Sequence, residues 1–197
     1  MTYFHGMIRK ICVLIFKLTG WKKDDNIPAP IKKCIIIAAP HTSNWDFWYC
    51  MATFKIYNLR IRFTVKKEWM RFPFNLLMKP LGAIGIDRTP RGPNNERPGF
   101  VDIMTGLFNA NEELIIVITP EGTRSKNEKW KTGFYHVAKA ANVPILLGYV
   151  DYKKKVAGIG QIIYVSDYAT DMKKIMAFYK TIHPKFPQNF AVDSNFS

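Results

Sequence analysis

The stretch KCIIIAAPHTSNWDFW, residues 33–48, changes character halfway. Its first part is a run rich in β-branched side chains, which predicts a buried strand over 33–39. Thr42-Ser43-Asn44 then supplies turn and cap residues. The continuation DFWYCMATFKIY predicts a helix over 46–57 with apolar residues nearly all round. A strand running into a helix is half of a β–α–β unit, so this stretch sets the fold class. At the junction sit two titratable residues, His41 and Asp46, five positions apart.

The same alternation continues along the chain. RIRFTV (60–65) alternates at period two and predicts a strand. EWMRFPFNLLM (68–78) predicts a helix that Pro73 kinks or breaks. Short or buried strands are expected at 82–87, 113–119 and 143–150, and a strand or hairpin at 156–165. Helices are expected at 100–110, 134–142 and 171–182. The stretches 88–99 and 120–133 read as loops from their Pro, Gly, Asn and charged residues. Strands alternating with helices predict an α/β fold: one domain, a largely parallel sheet flanked by helices. In such sheets sites gather at the carboxyl ends of strands. His41, the Asp87-Arg88 pair and the Glu121–Arg124 stretch each follow an apolar strand.

Composition narrows the partners. With 197 residues, 48% of them hydrophobic and 14% aromatic, the chain can bury a core and is not disordered. Lys and Arg number 29 against 15 Asp and Glu, a net charge of +14. That field favours a polyanion: nucleic acid, an anionic membrane surface or a phosphorylated substrate. Cys12, Cys34 and Cys50 have no motif spacing and read as reduced thiols in a cytosol-facing protein. The four histidines are too scattered to suggest a zinc site.

The first 23 residues carry Arg9, Lys10, Lys17, Lys22 and Lys23 and no acid, with Tyr3, Phe4, Phe16 and Trp21 among them. Their longest apolar run, ICVLIF, is far short of the ~20 residues that span a bilayer. Either a helix lying in an anionic headgroup layer or an ordinary helix packed on the domain fits this composition. The division expected is an N-terminal amphipathic, membrane-interface segment over 1–27 and the main domain over 28–197.

Residues five apart on a helix diverge, so His41 and Asp46 can meet only if His41 lies on the turn and Asp46 in the first helical turn. Asp46 could then hold one imidazole N–H and leave the other nitrogen as a base. The structural alternative is equally concrete: Ser43-x-x-Asp46 matches a capping box. No G-x-S-x-G nucleophile elbow occurs. A His–Asp pair without its own nucleophile implies direct activation of a substrate hydroxyl or water. Arg88 could fork onto phosphate oxygens, and the Gly122-Thr123 turn could face an anion, with Glu121 and Arg124 beside it. Each of these loops also reads as solvated surface charge.

Taken together, the motifs resemble a known family. HTSNWD looks like the H-x4-D signature of the glycerolipid acyltransferases, GAIGIDR the second motif, PEGTRS the third and VPILL the fourth. They stand in the family's order over roughly residues 33–150. The resemblance implies His41 as general base with Asp46 orienting it, Arg88 on the acceptor's phosphate, and Glu121, Gly122 and Arg124 in acceptor binding. It implies acyl transfer from a thioester, on coenzyme A or acyl carrier protein, to a lysophospholipid such as 1-acylglycerol-3-phosphate. The expected location is the cytoplasmic face of a membrane, with no metal or redox cofactor and no nucleic acid. Pro40, Thr119 and Leu147 depart from the residues frequent in the family at those places. A lipid-binding or hydrolytic relative, or a basic nucleic-acid-binding protein, are the rival readings.

Overall fold

The computed structural model describes residues 2–24, 31–86 and 99–197. Its elements in order are α1 (Thr2–Thr19), β1 (Lys22–Lys23), β2 (Lys33–Ala38), α2 (Asn44–Ile56), β3 (Ile61–Lys66), a 3-10 turn (Lys67–Met70) and α3 (Asn75–Leu81). There follow β4 (Ala83–Ile86), α4 (Phe100–Asn109), β5 (Leu114–Ile118), α5 (Gly133–Ala141), β6 (Ile145–Asp151), β7 (Val156–Ile163), α6 (Tyr168–Lys180) and a 3-10 turn (Pro187–Asn189). The strands form one sheet in the order β1-β7-β6-β2-β5-β3-β4. Every pairing is parallel except β6 with β7. The α/β architecture with a largely parallel, helix-flanked sheet is therefore the one the alternation predicts.

Central β2 shows why its sequence has no polar alternation. Cys34 and Ile36 face Phe54 of α2, and Ile35 and Ile37 face the core built on α4, α5 and α6. With both faces covered, the apolar run from Cys34 to Ile37 is buried throughout. On the α2 side, Phe16 of α1 and Trp21 just beyond it pack onto Ile56, Val150 and Ala157. The first helix is thus an integral layer on its inner face. Its outer face leaves Met7, Ile11, Leu14, Ile15 and Leu18 exposed.

The structure decides several points the sequence left open. Of the kink or break expected at Pro73 in 68–78, the chain takes the break: the turn Lys67–Met70 and the short α3 stand on either side of it, because Pro73 lacks the N–H that a continuous helix needs. Gly82 ends α3 with φ 97°, and a Cβ there would sit 2.5 Å from the Ile61 carbonyl oxygen. Residues 156–163 form a strand antiparallel to β6, since only four residues separate the two and a parallel return needs a longer crossover. Two-residue β1, which pairs with β7, is too short to leave a periodic signal.

Candidate active site

The turn after β2 is built by local hydrogen bonds. Ser43 caps α2, its Oγ accepting from the Trp45 N–H at 3.1 Å. Asp46 Oδ2 accepts the N–H groups of Thr42 and Ser43, both at 2.7 Å. The capping box read from Ser43-x-x-Asp46 is therefore present. It does not displace the His–Asp pairing: His41 Nδ1 lies 3.6 Å from the same Oδ2. That separation exceeds a hydrogen bond, so the imidazole faces the carboxylate without being bonded to it in this state. The cap fixes the carboxylate, and the carboxylate faces the imidazole, so one residue carries both readings.

Asp46 has a third partner that the local sequence does not announce. The Tyr152 hydroxyl donates to Oδ1 at 2.7 Å, from the turn after β6. Burial and this bond to a carboxylate hold the Tyr152 phenol protonated, far above its usual range. Nothing in the sequence could flag it, because 106 residues separate the pair.

The turn after β5 meets the turn after β2. Glu121, 3% exposed, accepts the His41 backbone N–H on Oε2 at 2.7 Å. Burial pushes its carboxyl up to about 8; the His41 N–H opposes the shift and repulsion from Asp46 adds to it. Gly122 turns with φ 68°, and a Cβ there would collide with the Lys131 side chain, whose Nζ would be 2.7 Å away. Arg124 is exposed and donates to the Asn44 side chain on α2, tying the two turns together from outside. Lys131 carries no signal in the sequence, where it stands as one more base in a polar loop. Arg88 and Asp87 lie outside the described residues.

The loop bearing Glu121 is clamped from the C-terminal tail. Trp130 is buried; its backbone N–H donates to Asp193 and its indole N–H to the Ala191 carbonyl, both at 2.9 Å. The Ser194 N–H reaches the Glu128 carbonyl at 3.0 Å. On the other flank, the Phe186 N–H donates to Thr42 Oγ1 at 3.3 Å, and the Lys185 ammonium sits 5.1 Å from the Trp45 ring centroid. Residues 183–196 thus brace both site turns.

These groups open on a cavity of about 1120 Å³. Its wall includes His41, Asp46, Gly122, Arg124 and Lys131, then passes along Phe47, Met51 and Phe54 of α2 and Phe63 and Val65 of β3 to Trp69 and Met78. The volume is at or above the roughly 300–1,000 Å³ of ordinary ligand sites. Cys50 also lines it, but burial pushes its thiol up to about 12, which leaves it an inert wall. Among the described residues no group of three or more His, Cys, Asp or Glu side chains could hold a metal ion. None of the described helices is long and apolar enough to cross a membrane.

Residues 21–146 match the family model described as Acyltransferase. No curated protein matches the chain. Among solved structures, the 1-acyl-sn-glycerophosphate acyltransferase PlsC from Thermotoga maritima shares the fold with a TM-score of 0.56, at 18% identity over 91% of this chain and 78% of that one.

Proposed function

The chain belongs to the acyltransferase family, and from that premise we propose that it moves a fatty acyl group from a thioester to the free hydroxyl of a lysophospholipid, 1-acylglycerol-3-phosphate in the first instance. One observation carries the reading: a His–Asp pair opens on a long, largely apolar cavity beside two basic side chains, Arg124 and Lys131. An acyl chain fits the cavity, and a phosphate fits the bases. PlsC, itself a 1-acyl-sn-glycerophosphate acyltransferase, supports the same acceptor.

His41 Nδ1 faces Asp46, which leaves Nε2 as the free nitrogen. Nε2 takes the proton of the acceptor hydroxyl as its oxygen attacks the thioester carbonyl. The tetrahedral adduct collapses with cleavage of the C–S bond, and the imidazolium returns the proton to the departing thiolate. Asp46 holds the ring and stabilises the imidazolium, and is itself held by two backbone N–H groups and Tyr152. Because the base acts on the substrate, no enzyme nucleophile and no metal or redox cofactor is required. Arg88 belongs on the acceptor phosphate in this scheme, with Glu121, Gly122 and Arg124 shaping the acceptor side. The donor is acyl-coenzyme A or an acyl carrier protein thioester; both are anionic and suit the +14 charge. The enzyme works at an anionic membrane surface, to which the exposed stripe of α1 and its unopposed basic residues attach it peripherally.

Mass spectrometry of products from a panel of lysolipids with acyl-coenzyme A or acyl carrier protein tests this directly. The expected result is a diacyl product from a lysophospholipid and the free thiol in equal amounts. Release of free fatty acid with no acylated lipid would instead identify a hydrolase.

A further inference from the structure

Besides the pair Trp45 and Trp48 on α2, two stretches of the described chain turn clusters of four or more large apolar side chains to solvent. One is the α1 stripe. The other is far more compact: between β3 and β4, Trp69, Phe72, Phe74 and Leu76 are 50%, 79%, 55% and 68% exposed. Scattered single apolar residues are normal on a protein surface, but four within eight residues form a patch that asks for a partner. The local structure explains why they are out. The helix breaks at Phe72-Pro73, and neither the Lys67–Met70 turn nor seven-residue α3 is long enough to bury a face. The Trp69 and Phe74 rings lie 5.4 Å apart, so they pack on each other at the tip.

The charges within this segment are one-sided. Lys66, Lys67, Arg71 and Lys79 stand against Glu68 alone, and Arg71 and Lys79 are exposed. The patch is also continuous with the cavity, since Trp69 and Met78 form part of its wall.

We infer that the Lys66–Leu81 lobe is a second membrane contact, seated in an anionic bilayer. Phe72, Phe74 and Leu76 enter the boundary between headgroups and acyl chains, while Arg71 and Lys79 meet lipid phosphates. A lipid then passes from the bilayer into the cavity beside Trp69 without crossing water. Charge decides for a bilayer over a second copy of the chain: a symmetric pair would press two basic lobes together, and like charges across an interface repel. The route into the cavity rests on the acyl-transfer reading above; the docking does not.

The full chain is tested for partition into phosphatidylcholine vesicles with and without phosphatidylglycerol. Phe72→Ser/Leu76→Ser should weaken partition into both by about tenfold or more. Arg71→Glu/Lys79→Glu should weaken it by about tenfold into the anionic vesicles only, with the difference vanishing at high salt. Brominated lipids should quench a fluorescence component that Trp69→Phe removes. Turnover of a water-soluble short-chain acceptor should be unchanged in Phe72→Ser/Leu76→Ser, while turnover of vesicle-embedded lysolipid falls. Unchanged partition in both lobe variants, with loss only in Leu14→Ser/Leu18→Ser on α1, would overturn the inference. So would a change of sedimenting mass with vesicle binding intact, which would make the partner a second copy. If partition falls as expected but no lysolipid is acylated, the docking holds and the proposed reaction fails.

Discussion

The two faces of the sheet are built from alternate residues of the same strands, yet they end differently. On the α4–α6 side, Met104, Phe108, Met172, Met176 and Tyr179 are all at or below 1% exposed, and only Phe100, Gly133 and Phe134 at its margin touch the cavity. Tyr179 even spends its hydroxyl inside, bonded to the carbonyls of Ile37 and Gly148 at 2.9 and 3.0 Å. On the α2 side, Phe47, Met51, Phe63 and Val65 are only half-buried, because they surround a cavity. One face is filled; the other is left incompletely filled, and the proposed reaction would run there. Apolar composition alone therefore says little about which core a residue belongs to. The difference teaches that space left unfilled, rather than polarity, distinguishes the two sides of this sheet.

Three results would break or sharpen that contrast. The largest effect is expected at the polar end of the open face: His41→Ala should lower the acyl-transfer rate by roughly 10²–10⁴-fold with the fold intact, measured by steady-state kinetics and thermal unfolding. Asp46→Asn should impair both rate and stability, because the same carboxylate caps α2. A normal rate in folded His41→Ala would strip the open face of its chemistry.

Next comes the contrast itself. Phe108→Ala, in the filled face, should cost about 3–5 kcal/mol in urea unfolding, the usual toll of an emptied aromatic site. Phe63→Ala borders existing space and packs edge-on against Phe47 at 6.1 Å, so its cost should be clearly smaller. It should instead shift the product distribution toward longer acyl chains, read by mass spectrometry. Equal losses of stability with unchanged products would show that the two faces do not differ in kind.

The last effect is a slope, small over any one pH unit. Glu121 titrates near 4.5 when unfolded and at about 8 when folded. Between those values the folded chain holds a proton that the unfolded chain has released, so stability falls as pH rises through that window. One such proton contributes a slope of about 1.4 kcal/mol per pH unit. Glu121→Gln keeps an oxygen for the His41 N–H and should flatten that slope, measured by denaturant unfolding at several pH values. An unaltered slope would mean that Glu121 is not held in a buried, neutral form.

Much of this molecule is legible along the chain because the forces involved are short-range. The β-branched runs at 33–39 and 113–119 need only their own side chains to specify buried strands, and β2 and β5 lie there. Ser43 and Asp46 specify the start of α2 through a cap that spans three residues. His41 and Glu121 are legible as strand-end residues, and adjacent parallel strands bring their turns together. At Phe72-Pro73 the sequence signals a kink or a break without deciding between them, because whether a helix restarts depends on what packs against it.

Other features belong to tertiary structure alone. The Tyr152 hydroxyl on Asp46, the reach of Lys131 across Gly122 and the hold of Asp193 on Trp130 join residues through space, with no periodicity to betray them. The cavity is of the same kind: it is the volume that α2, β3 and the Lys66–Leu81 lobe fail to fill, and a gap has no residues of its own. Periodicity and capping are settled by neighbours within a few residues, so sequence determined most strands and helices and the placing of His41 and Glu121 at strand ends. Strand order and residual space are settled only when all the elements pack at once, so the Tyr152 bond to Asp46, the clamp on the Glu121 loop and the cavity waited for the fold.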